Sequence, residues 1–476
     1  MSTNDQRNTV TRWETSRHNS KDSCWIILYG FVYDVTEFLD THPGGKQIIL
    51  KHAGYDATEA FEPFHSGDTL DKYLKPSQRL GPATGLESRR PQSVSTKGLQ
   101  DLNGGKPSLR SIINIPDFET AASAALSPRA FAFFKAGADA EVTSNWNRIS
   151  WQAIRFRPRI LKPIKRVDIS TTLLETRFSA PFFISPAGGG KLANGSGEIL
   201  MTKAAAKHGI LHFVCNNAGC TQQEMADARG PGQVLFWQIY AMKDLAVTER
   251  EIKQAIASGY KGFALTVDAI RVGKRERDMR LSIAASESDS DDQDEEDSGL
   301  SGGISVSRPA VYSEFDWITA VKWLREITDL PIAIKGVQCW EDAALCMHHG
   351  VHPWLSNHGG RQLEGAPSAV ETLLEIRQNC PAVFDKCEVI VDGGITRGTD
   401  IVKALALGAK GVGLGRAFLY ALVFGEVGVS RAIRILQLEV ETAMALLGVS
   451  SISELRPSHV DVSGLPYAAA VVRARL

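Results

Sequence analysis

Ser356-Asn357-His358-Gly359-Gly360-Arg361-Gln362 directly follows the apolar pair Trp354-Leu355. An apolar run that ends in polar residues and glycines is typical of a buried strand followed by a loop. The imidazole group takes up and releases a proton near neutral pH, and the guanidinium fork matches a carboxylate. The glycines let the backbone approach a ligand closely. The segment therefore predicts a base and an anion-binding cation at the end of one strand. Taken without the rest of the sequence, the same segment is more typical of a polar surface loop.

The residues after Pro181 alternate between short apolar runs and helical patterns, and polar side chains follow most of the runs. Eight strand–helix units in about 270 residues predict a (β/α)8 TIM barrel, whose strands are buried on both sides and whose chemistry lies at the strand C-termini. The predicted strands are Phe182–Pro186, Leu211–Cys215, Leu235–Ile239, Gly262–Val267, Ile332–Lys335, Trp354–Ser356, Val389–Asp392 and Val412–Gly415.

Two glycine-bearing strand ends close this barrel, Asp392-Gly393-Gly394-Ile395 and Gly413-Leu414-Gly415-Arg416. Backbone N–H groups after the seventh and eighth strands commonly bind phosphate in such barrels. The pair predicts a phosphorylated cofactor or substrate without saying which.

Residues 1–85 are predicted to form a small, separate α+β domain with strands Ser23–Leu28 and Phe31–Val35. It contains His42-Pro43-Gly44-Gly45 and a second histidine, His65. Two imidazoles that face each other across a pocket bind a haem iron from both sides. Such a haem has no open coordination position, so it carries electrons and does not activate oxygen.

This histidine pattern, together with the runs Tyr33–Phe38 and Ala53–Thr58, resembles the cytochrome b5 family over residues 10–85. The resemblance implies a haem b with His42 and His65 as its iron ligands. Sterol-binding relatives that have lost these histidines are excluded as a template, because both are present.

Residues 86–107 are rich in Pro, Ser, Gly and charge and are predicted to link this domain to the barrel domain, residues 108–476. Within the barrel, residues 278–313 are predicted to form a flexible loop, because eight of the eleven residues 287–297 are acidic. We interpret the loop as a solvated insertion. The alternative is an electrostatic guide for a basic redox partner or for the haem-type domain.

Composition excludes several classes of protein. Hydrophobic residues make up 43% of the 476 residues and charged residues 22%, and the net charge is −1, which gives no support to nucleic-acid binding. No apolar run reaches the roughly 18 residues that cross a bilayer, and residues 1–9 have no secretory or presequence pattern. The seven cysteines are scattered and predict reduced thiols inside a cell.

Residues 112–465 resemble the FMN-dependent 2-hydroxy acid dehydrogenase and oxidase family. With a haem-type domain upstream, the domain order resembles that of the flavocytochrome b2 family, which joins L-lactate oxidation to cytochrome c. The motifs that carry the resemblance are Thr266-Val267-Asp268, Gly273-Lys274-Arg275-Glu276, Ile334-Lys335-Gly336-Val337, Ser356–Gln362, Asp392-Gly393-Gly394 and Lys403–Ala409.

The resemblance implies a role for each polar residue at the strand ends. His358 would remove a proton from the substrate while hydride or its equivalent passes to the flavin, and Asp268 would hold and stabilise the imidazole. Lys335 would stabilise negative charge at the N1–O2 edge of the flavin. The residues implied to bind the carboxylate and hydroxyl of the substrate are Arg361, Arg275 and Tyr240.

The residues that the resemblance assigns to FMN lie at the strand ends and in the two glycine-bearing turns. They are Pro186, Ala187, Gly188, Asn216, Gln238, Thr266, Lys335, Ser356, Asp392, Gly393, Gly394, Thr396, Arg397, Gly415 and Arg416.

Several positions depart from the family pattern. Phe133, assigned to the substrate pocket, stands where a Tyr usually helps to bind the carboxylate, a difference worth about 1–3 kcal/mol or a sign of another substrate. Thr396 stands where an Arg is common, which leaves Arg397 and Arg416 to compensate. Asn216 and Asn217 replace small or apolar residues, and the glycines at 188–190 open the pocket. Together these departures argue against transferring L-lactate as the substrate.

The main interpretation is a flavohaem dehydrogenase that oxidises a small L-2-hydroxy acid and passes the electrons through haem to an acceptor such as cytochrome c. One alternative is an electron-transfer module without turnover, and another is an FMN oxidase that reduces O2. We expect no nucleic-acid or membrane partner, and the resemblance implies a homotetramer.

The tripeptide Ala474-Arg475-Leu476 resembles the small–basic–Leu form of a peroxisomal address. The sequence therefore predicts a peroxisomal or cytoplasmic location in preference to the mitochondrial intermembrane space. A basic C-terminus without an address function is the alternative.

Overall fold

The structure is a computed structural model that describes residues 9–42, 45–85, 107–287 and 312–465, without the side chains of residues 282–287. The predicted linker lies outside the described residues except for residue 107. The tail at 466–476 lies outside them as well. Within the described ranges, no helix is long and apolar enough to cross a membrane.

The first domain is a five-stranded sheet with four short helices, which confirms the predicted α+β class. Numbered along the chain, the strands lie in the order one, five, four, three, two. Alternate residues of the third strand, Cys24, Ile26 and Leu28, join a buried cluster with Val35 and Leu39. The strands are Val10–Thr11, Asn19–Ser20, Ser23–Leu28, Phe31–Asp34 and Arg79–Thr84, and the helices are Arg12–Ser16, Lys46–Leu50, Thr58–Phe61 and Thr69–Tyr73.

The second domain is a closed barrel of eight parallel strands, as predicted. The first strand pairs with both the second and the eighth, which closes the cylinder. Each end of a predicted strand lies within two residues of an observed end. The barrel strands are Phe182–Ile184, His212–Val214, Leu235–Ile239, Phe263–Thr266, Ile332–Val337, His352–Leu355, Ile390–Val391 and Gly411–Leu414.

Aromatic side chains fill the inside of the barrel. The ring centroid of Phe213 lies 5.0 Å from that of Trp354 and 5.4 Å from that of Phe236, and Phe183 lies 5.3 Å from Trp354. The hairpin Thr171–Leu173/Thr176–Phe178 contributes further buried side chains to this cluster. The interior is therefore a packed core, and the strand C-termini are left to carry the site.

Helices surround the barrel, and one of them corrects a prediction. Ser127 caps the second helix of this domain, because its Oγ accepts a hydrogen bond from Ala130 N.

The helix Glu276–Glu287 occupies the start of the region predicted as a loop from residue 278, so that prediction was wrong for 278–287. Met279 of this helix is buried. The dense acidic run begins only where the helix ends. Residues 288–311 lie outside the described residues.

The helices that precede the barrel strands are Ile115–Ala125, Pro128–Lys135 and Val142–Ala153. The others are Gly190–Ala193, Glu198–His208, Gln222–Asp227, Leu245–Ala257, Glu276–Glu287, Trp317–Ile327, Trp340–His348, Ala369–Asn379, Val383–Lys386, Gly398–Ala406, Arg416–Leu422 and Gly425–Leu447. A last strand, Val460–Asp461, pairs with Arg155–Phe156 and ties the end of the domain to its start.

Candidate active site

A cavity lies at the C-terminal ends of the barrel strands and collects most of the predicted site residues. It is also lined by Phe64, which belongs to the first domain. The predicted residues that line it are Phe133, Pro186, Ala187, Gly188, Tyr240, Arg275, Lys335, His358, Arg361, Asp392, Gly393, Gly394, Thr396, Gly415 and Arg416.

His358 forms an acid–base pair with Asp268. His358 Nδ1 lies 2.9 Å from Asp268 Oδ1, and the Asp268 side chain is almost fully buried. A carboxylate only accepts, so Nδ1 carries the proton in this bond and Nε2 is left as the basic atom. Gly336, with φ of +116°, makes room for this pair, because a Cβ there would lie 2.6 Å from Asp268 Cβ.

The loop that carries His358 is held in an unusual backbone conformation. His358, Gly359 and Gly360 have φ of 60°, 67° and 74°, a region that L-residues other than glycine rarely adopt. Asn357 fixes the turn: its Oδ1 accepts from Gly360 N at 3.0 Å, and its amide exchanges two hydrogen bonds with Asn147. The base is therefore positioned by a buried amide pair and needs no contact with substrate to be in place.

Lys335 brings a buried cation to the same end of the barrel. Its Nζ donates to Ser356 Oγ at 2.8 Å and lies 3.5 Å from Asp392 Oδ2. Ser356 Oγ also accepts from His358 N at 3.1 Å, so one hydroxyl joins the cation to the base loop. Trp354 Nε1 donates to the same Asp392 oxygen at 3.1 Å.

Four arginines line the cavity and make it strongly positive: Arg148, Arg275, Arg361 and Arg416. Arg361 is fixed by carbonyl oxygens at the end of the helix Pro128–Lys135, with Nη1 2.9 Å from Phe133 O and 2.7 Å from Ala136 O. Burial, with the neighbouring charges of Arg275 and Arg416, lowers the pKa of Arg361. A cluster of like charges that are partly shielded from water is stabilised by binding an anion. The ring of Phe133 lies between two of them, 5.5 Å from the guanidinium carbon of Arg275 and 5.4 Å from that of Arg361.

The glycine-bearing turns form one end of the cavity, where the sequence predicts a phosphate. A Cβ on Gly394 would lie 2.2 Å from Asn147 O, so this close approach requires glycine. Thr396 N and Arg397 N both donate to Asp400 Oδ2 at 3.1 Å, which orders the turn before the helix Gly398–Ala406.

The predicted role of Arg397 is not supported by its position. Arg397 does not line the cavity, and its guanidinium binds Glu439, with Nη2 2.7 Å from Oε1. Arg148, from the helix Val142–Ala153, lines the cavity together with Thr396 and Arg416. The charge that would compensate for Thr396 therefore comes from Arg148 and Arg416.

Three residues assigned to the flavin form a hydrogen-bonded row instead of cavity lining. Gln238 Nε2 donates to Thr266 Oγ1 at 2.9 Å, and Gln238 Oε1 accepts from Asn216 N at 3.1 Å. Asn216 Nδ2 donates to Glu251 Oε2 at 2.9 Å. Thr266 pairs in register with Lys335, which does line the cavity. The neighbour Asn217 lines the cavity, whereas Asn216 does not.

The cavity has the donor and acceptor groups that FMN requires. Arg148, Arg416 and the tight glycine turns offer donors to a phosphate, and Lys335 and His358 line the same cavity for the reactive ring. Ser185 Oγ and Asp392 Oδ1 are buried and have no hydrogen-bond partner within the described part of the chain, so they are open to polar groups of a ligand. FMN therefore fits the residues present.

The predicted iron ligands face each other in the first domain. The ring centroids of His42 and His65 are 6.2 Å apart and the planes differ by 26°. Two metal–nitrogen bonds of about 2 Å, together with the distance from each nitrogen to the centre of its own ring, account for that separation with one metal atom between the rings. Nδ1 of each ring points to a carbonyl oxygen, Gly45 O at 3.1 Å and Phe61 O at 2.8 Å, so Nδ1 carries the proton and Nε2 carries the lone pair that binds iron.

The protonation state of these histidines also suits a metal. Burial lowers the pKa of His42 to about 4 and lowers the pKa of His65, so both imidazoles are neutral at physiological pH. A neutral imidazole is the form that binds iron. A haem therefore fits this pair.

Sequence reasoning missed several residues of the site. Arg148 and Asn147 lie in a segment with no recognisable motif, and Ser185 lies in a predicted strand without an assigned role, so only their contacts in the folded chain reveal them. Gly336 stands within a quoted motif, and its place between Lys335 and Val337 was a usable signal. Phe64 directly precedes His65, but no local pattern indicates that it reaches the barrel.

Fold and site define a haem domain joined to a flavin-binding barrel, and comparison with known proteins agrees. The model of the FMN-dependent dehydrogenase family matches residues 122–462. The model of the cytochrome b5-like heme/steroid binding domain matches residues 11–84. The chain belongs to the FMN-dependent dehydrogenase family and carries a cytochrome b5-like domain. The predictions of family, of FMN and of haem are confirmed.

Three relatives illustrate the match. An L-lactate dehydrogenase (cytochrome) from Wickerhamomyces anomalus is 42% identical over 457 residues, which cover 94% of this chain and 79% of that protein. A peroxisomal (S)-2-hydroxyacid oxidase from Arabidopsis thaliana is 37% identical over 355 residues, 73% of this chain and 96% of the oxidase. The crystal structure of the recombinant flavin-binding domain of baker's yeast flavocytochrome b2 matches with a TM-score of 0.69 and 38% identity, over 77% of this chain and 91% of that domain.

Proposed function

We propose that this enzyme oxidises an L-2-hydroxy acid to the 2-keto acid and passes the electrons to its own haem and then to a cytochrome-type acceptor. The observation that carries the proposal is one cavity in which the His358–Asp268 pair, Lys335 and four arginines meet beside Phe64 of the haem domain. One cavity therefore holds a base and a carboxylate site, and its lining includes the residue that precedes the haem ligand His65.

The residues perform separate parts of the reaction. Arg361 and Arg275 bind the substrate carboxylate, and Tyr240 hydrogen-bonds its hydroxyl. His358 Nε2 accepts the proton, and Asp268 stabilises the imidazolium that forms. FMN, when bound, supplies the two-electron acceptor for the oxidation. The cation of Lys335 stabilises the negative charge that this transfer leaves in the buried site.

A dehydrogenase is favoured over both alternatives considered from the sequence. The His42–His65 pair is intact, which a direct oxidase would not need, and the His358–Asp268 pair is intact, which a pure electron-transfer module would not need. A relative that matches both domains is named a cytochrome-linked dehydrogenase. We propose cytochrome c as the external acceptor and a homotetramer as the assembly.

The proposal is tested by adding L-2-hydroxy acids of increasing size, from glycolate and L-lactate to aromatic acids, to the purified enzyme without oxygen. We expect the flavin absorbance to bleach and the sharp bands of reduced haem to follow. If no acid in the panel bleaches the flavin, the proposed substrate class is wrong.

The substitution Phe133→Tyr tests whether the substrate is small. Phe133 lies between Arg275 and Arg361, where a phenol hydroxyl would add a donor to the carboxylate site. For lactate or glycolate we expect KM to fall about tenfold, the effect of one hydrogen bond to a charged group. KM is measured from the rate of flavin bleaching. Phe131→Tyr, on the same helix, is the matched control and should leave KM unchanged.

A bulkier natural acid gives the opposite result. The cavity wall near Phe133 also includes Gly188 and Asn217, so a larger acid would occupy the space that the new hydroxyl enters. In that case Phe133→Tyr leaves KM unchanged or raises it.

We propose that the enzyme is peroxisomal, with the cytoplasm as the alternative location. Ala474-Arg475-Leu476 is a peroxisomal address only as a free C-terminus. A fluorescent protein that carries the last twelve residues should give puncta that coincide with a peroxisomal marker, and deletion of Leu476 should make the signal diffuse. Diffuse fluorescence from the intact tail would leave the cytoplasm as the location.

A further inference from the structure

Phe64 of the haem domain forms part of the wall of the barrel cavity, although the reaction proposed above does not use it. Its side chain is half-buried and follows the helix Thr58–Phe61. Among the described residues of the haem domain, Phe64 alone lines the cavity at the ends of the barrel strands. One residue of a substrate-sized cavity in the barrel therefore comes from the other domain.

The ring of Phe64 packs on the barrel and not on the core of its own domain. Phe61, three positions earlier, packs on the buried cluster of the haem domain that contains Val35 and Leu39. Phe64 packs instead on the main buried cluster of the barrel domain, which includes Phe133. Because its apolar contacts lie in the barrel, the ring is removed from water where the two domains meet.

Two glycines of the barrel make room for this segment. A Cβ on Gly189 would lie 3.5 Å from Phe64 Cε1 and 3.1 Å from Phe133 Cε1, and a Cβ on Gly219 would lie 3.1 Å from Pro63 O. Carbon atoms that pack well are about 3.5–4.0 Å apart, so a side chain at either glycine would crowd the segment. The surface of the barrel is therefore shaped to receive Pro63 and Phe64.

The ring of Phe64 lies next to the site proposed for the substrate carboxylate. It meets the ring of Phe133 edge to face, with centroids 5.4 Å apart. The ring of Phe133 lies in turn 5.5 Å from the guanidinium carbon of Arg275 and 5.4 Å from that of Arg361. A carboxylate bound by these arginines lies beside Phe133, which places a bulky substituent of the acid within reach of Phe64.

The turn that carries the haem ligand also holds this ring in place. Phe64 N and His65 N donate to Phe61 O at 3.2 Å and 3.1 Å, and His65 Nδ1 lies 2.8 Å from the same oxygen. Three donors on one carbonyl oxygen order the turn and tie the position of the ring to that of the iron ligand. A wall that is held in this way selects ligands by their size.

We propose that Phe64 is a specificity-determining residue of the dehydrogenase: the haem domain supplies part of the substrate wall, and the Phe64 ring limits the size of the acid. The inference rests on the proposed function, because it names a group that selects among L-2-hydroxy acids. Phe64 acts by occupying space, and it transfers neither a proton nor an electron.

The test is Phe64→Ala in the holoenzyme, with kcat/KM measured from flavin bleaching by L-lactate and by L-phenyllactate. We expect the ratio of phenyllactate to lactate to rise about tenfold, within the range of steric selection in an apolar pocket. Phe64→Trp should lower the same ratio, because a larger ring fills more of the cavity. Tyr55→Ala, which changes an exposed tyrosine of the same domain, is the control and should leave the ratio unchanged.

Opposite shifts in Phe64→Ala and Phe64→Trp separate a wall residue from one that only stabilises the domain. An unchanged ratio in Phe64→Ala, or an equal fall of kcat/KM for both acids, would overturn the proposal. So would an equal rise in Tyr55→Ala. If Phe64→Ala loses its haem, Phe64→Leu keeps an apolar side chain beside His65 and should shift the ratio in the same direction by a smaller factor.

Failure of the proposed function would remain distinguishable. Pyruvate and phenylpyruvate carry the carboxylate and the substituent but cannot reduce the flavin, so their Kd is measured from the change in flavin absorbance on binding. If no hydroxy acid bleaches the flavin, the proposed substrate class is wrong. Tighter binding of phenylpyruvate relative to pyruvate in Phe64→Ala would still support the wall, and an unchanged ratio or no binding of phenylpyruvate would overturn it.

Discussion

His358→Gln is expected to slow flavin reduction by about a thousandfold, within the range that a positioned base contributes. A glutamine amide does not take up the proton, and it cannot form the charged pair that Asp268 stabilises across 2.9 Å. FMN and haem should stay bound at normal occupancy, because the proposed anion and iron ligands are unchanged. The measurement is single-turnover bleaching of the flavin by the best substrate.

The control for this variant is His348→Gln, which changes an exposed histidine on the helix Trp340–His348. In the His348→Gln enzyme the flavin should be reduced at the normal rate. If His358→Gln keeps its rate within about tenfold of the unmodified enzyme, another group is the base.

His65→Ala is expected to have the opposite effect: loss of haem with normal flavin reduction. One of two ligands that lie 6.2 Å apart disappears, while the cavity of the barrel keeps its base and cations. Electrons should then reach ferricyanide, which takes them directly from the flavin, and reduction of cytochrome c should be lost. Absorbance spectra give the haem content, and steady-state assays give the two activities.

His18→Ala is the matched control, since this imidazole lies in the same domain but stacks on Trp25 with centroids 3.5 Å apart. Its haem should remain bound. A six-coordinate haem spectrum in His65→Ala would show that the iron ligand lies elsewhere.

Much of this fold could be predicted because the barrel strands have a simple signature. A strand buried on both sides is a short apolar run, and the polar residue that ends it marks the active face, as at His358. The pairing of His358 with Asp268 was available only through family motifs, because the two residues are 90 positions apart. Local pattern and motif together therefore gave the base and its partner.

What could not be predicted depends on contacts between distant elements. Arg397 stands beside Thr396 in sequence, but the Arg397 side chain forms an ion pair with Glu439 of the last long helix and does not line the cavity. Arg148 supplies charge there from a helix with no motif. The contact of Phe64 with Phe133 depends on how two domains meet, which no local pattern encodes. The helix Glu276–Glu287 was missed because the acidic run after it dominated the interpretation.

The separate support of the base loop has an evolutionary consequence. His358 is fixed by Ser356 and by the Asn147–Asn357 pair, none of which lines the cavity. The cavity wall outside the catalytic loop includes Phe133 on a helix, the loops at 188 and 217, and the Phe64 ring of the haem domain. Lineages of this enzyme can therefore change the acid they consume by altering the wall, while the catalytic loop is inherited intact. A library that randomises only the wall should yield new specificities at little loss of rate.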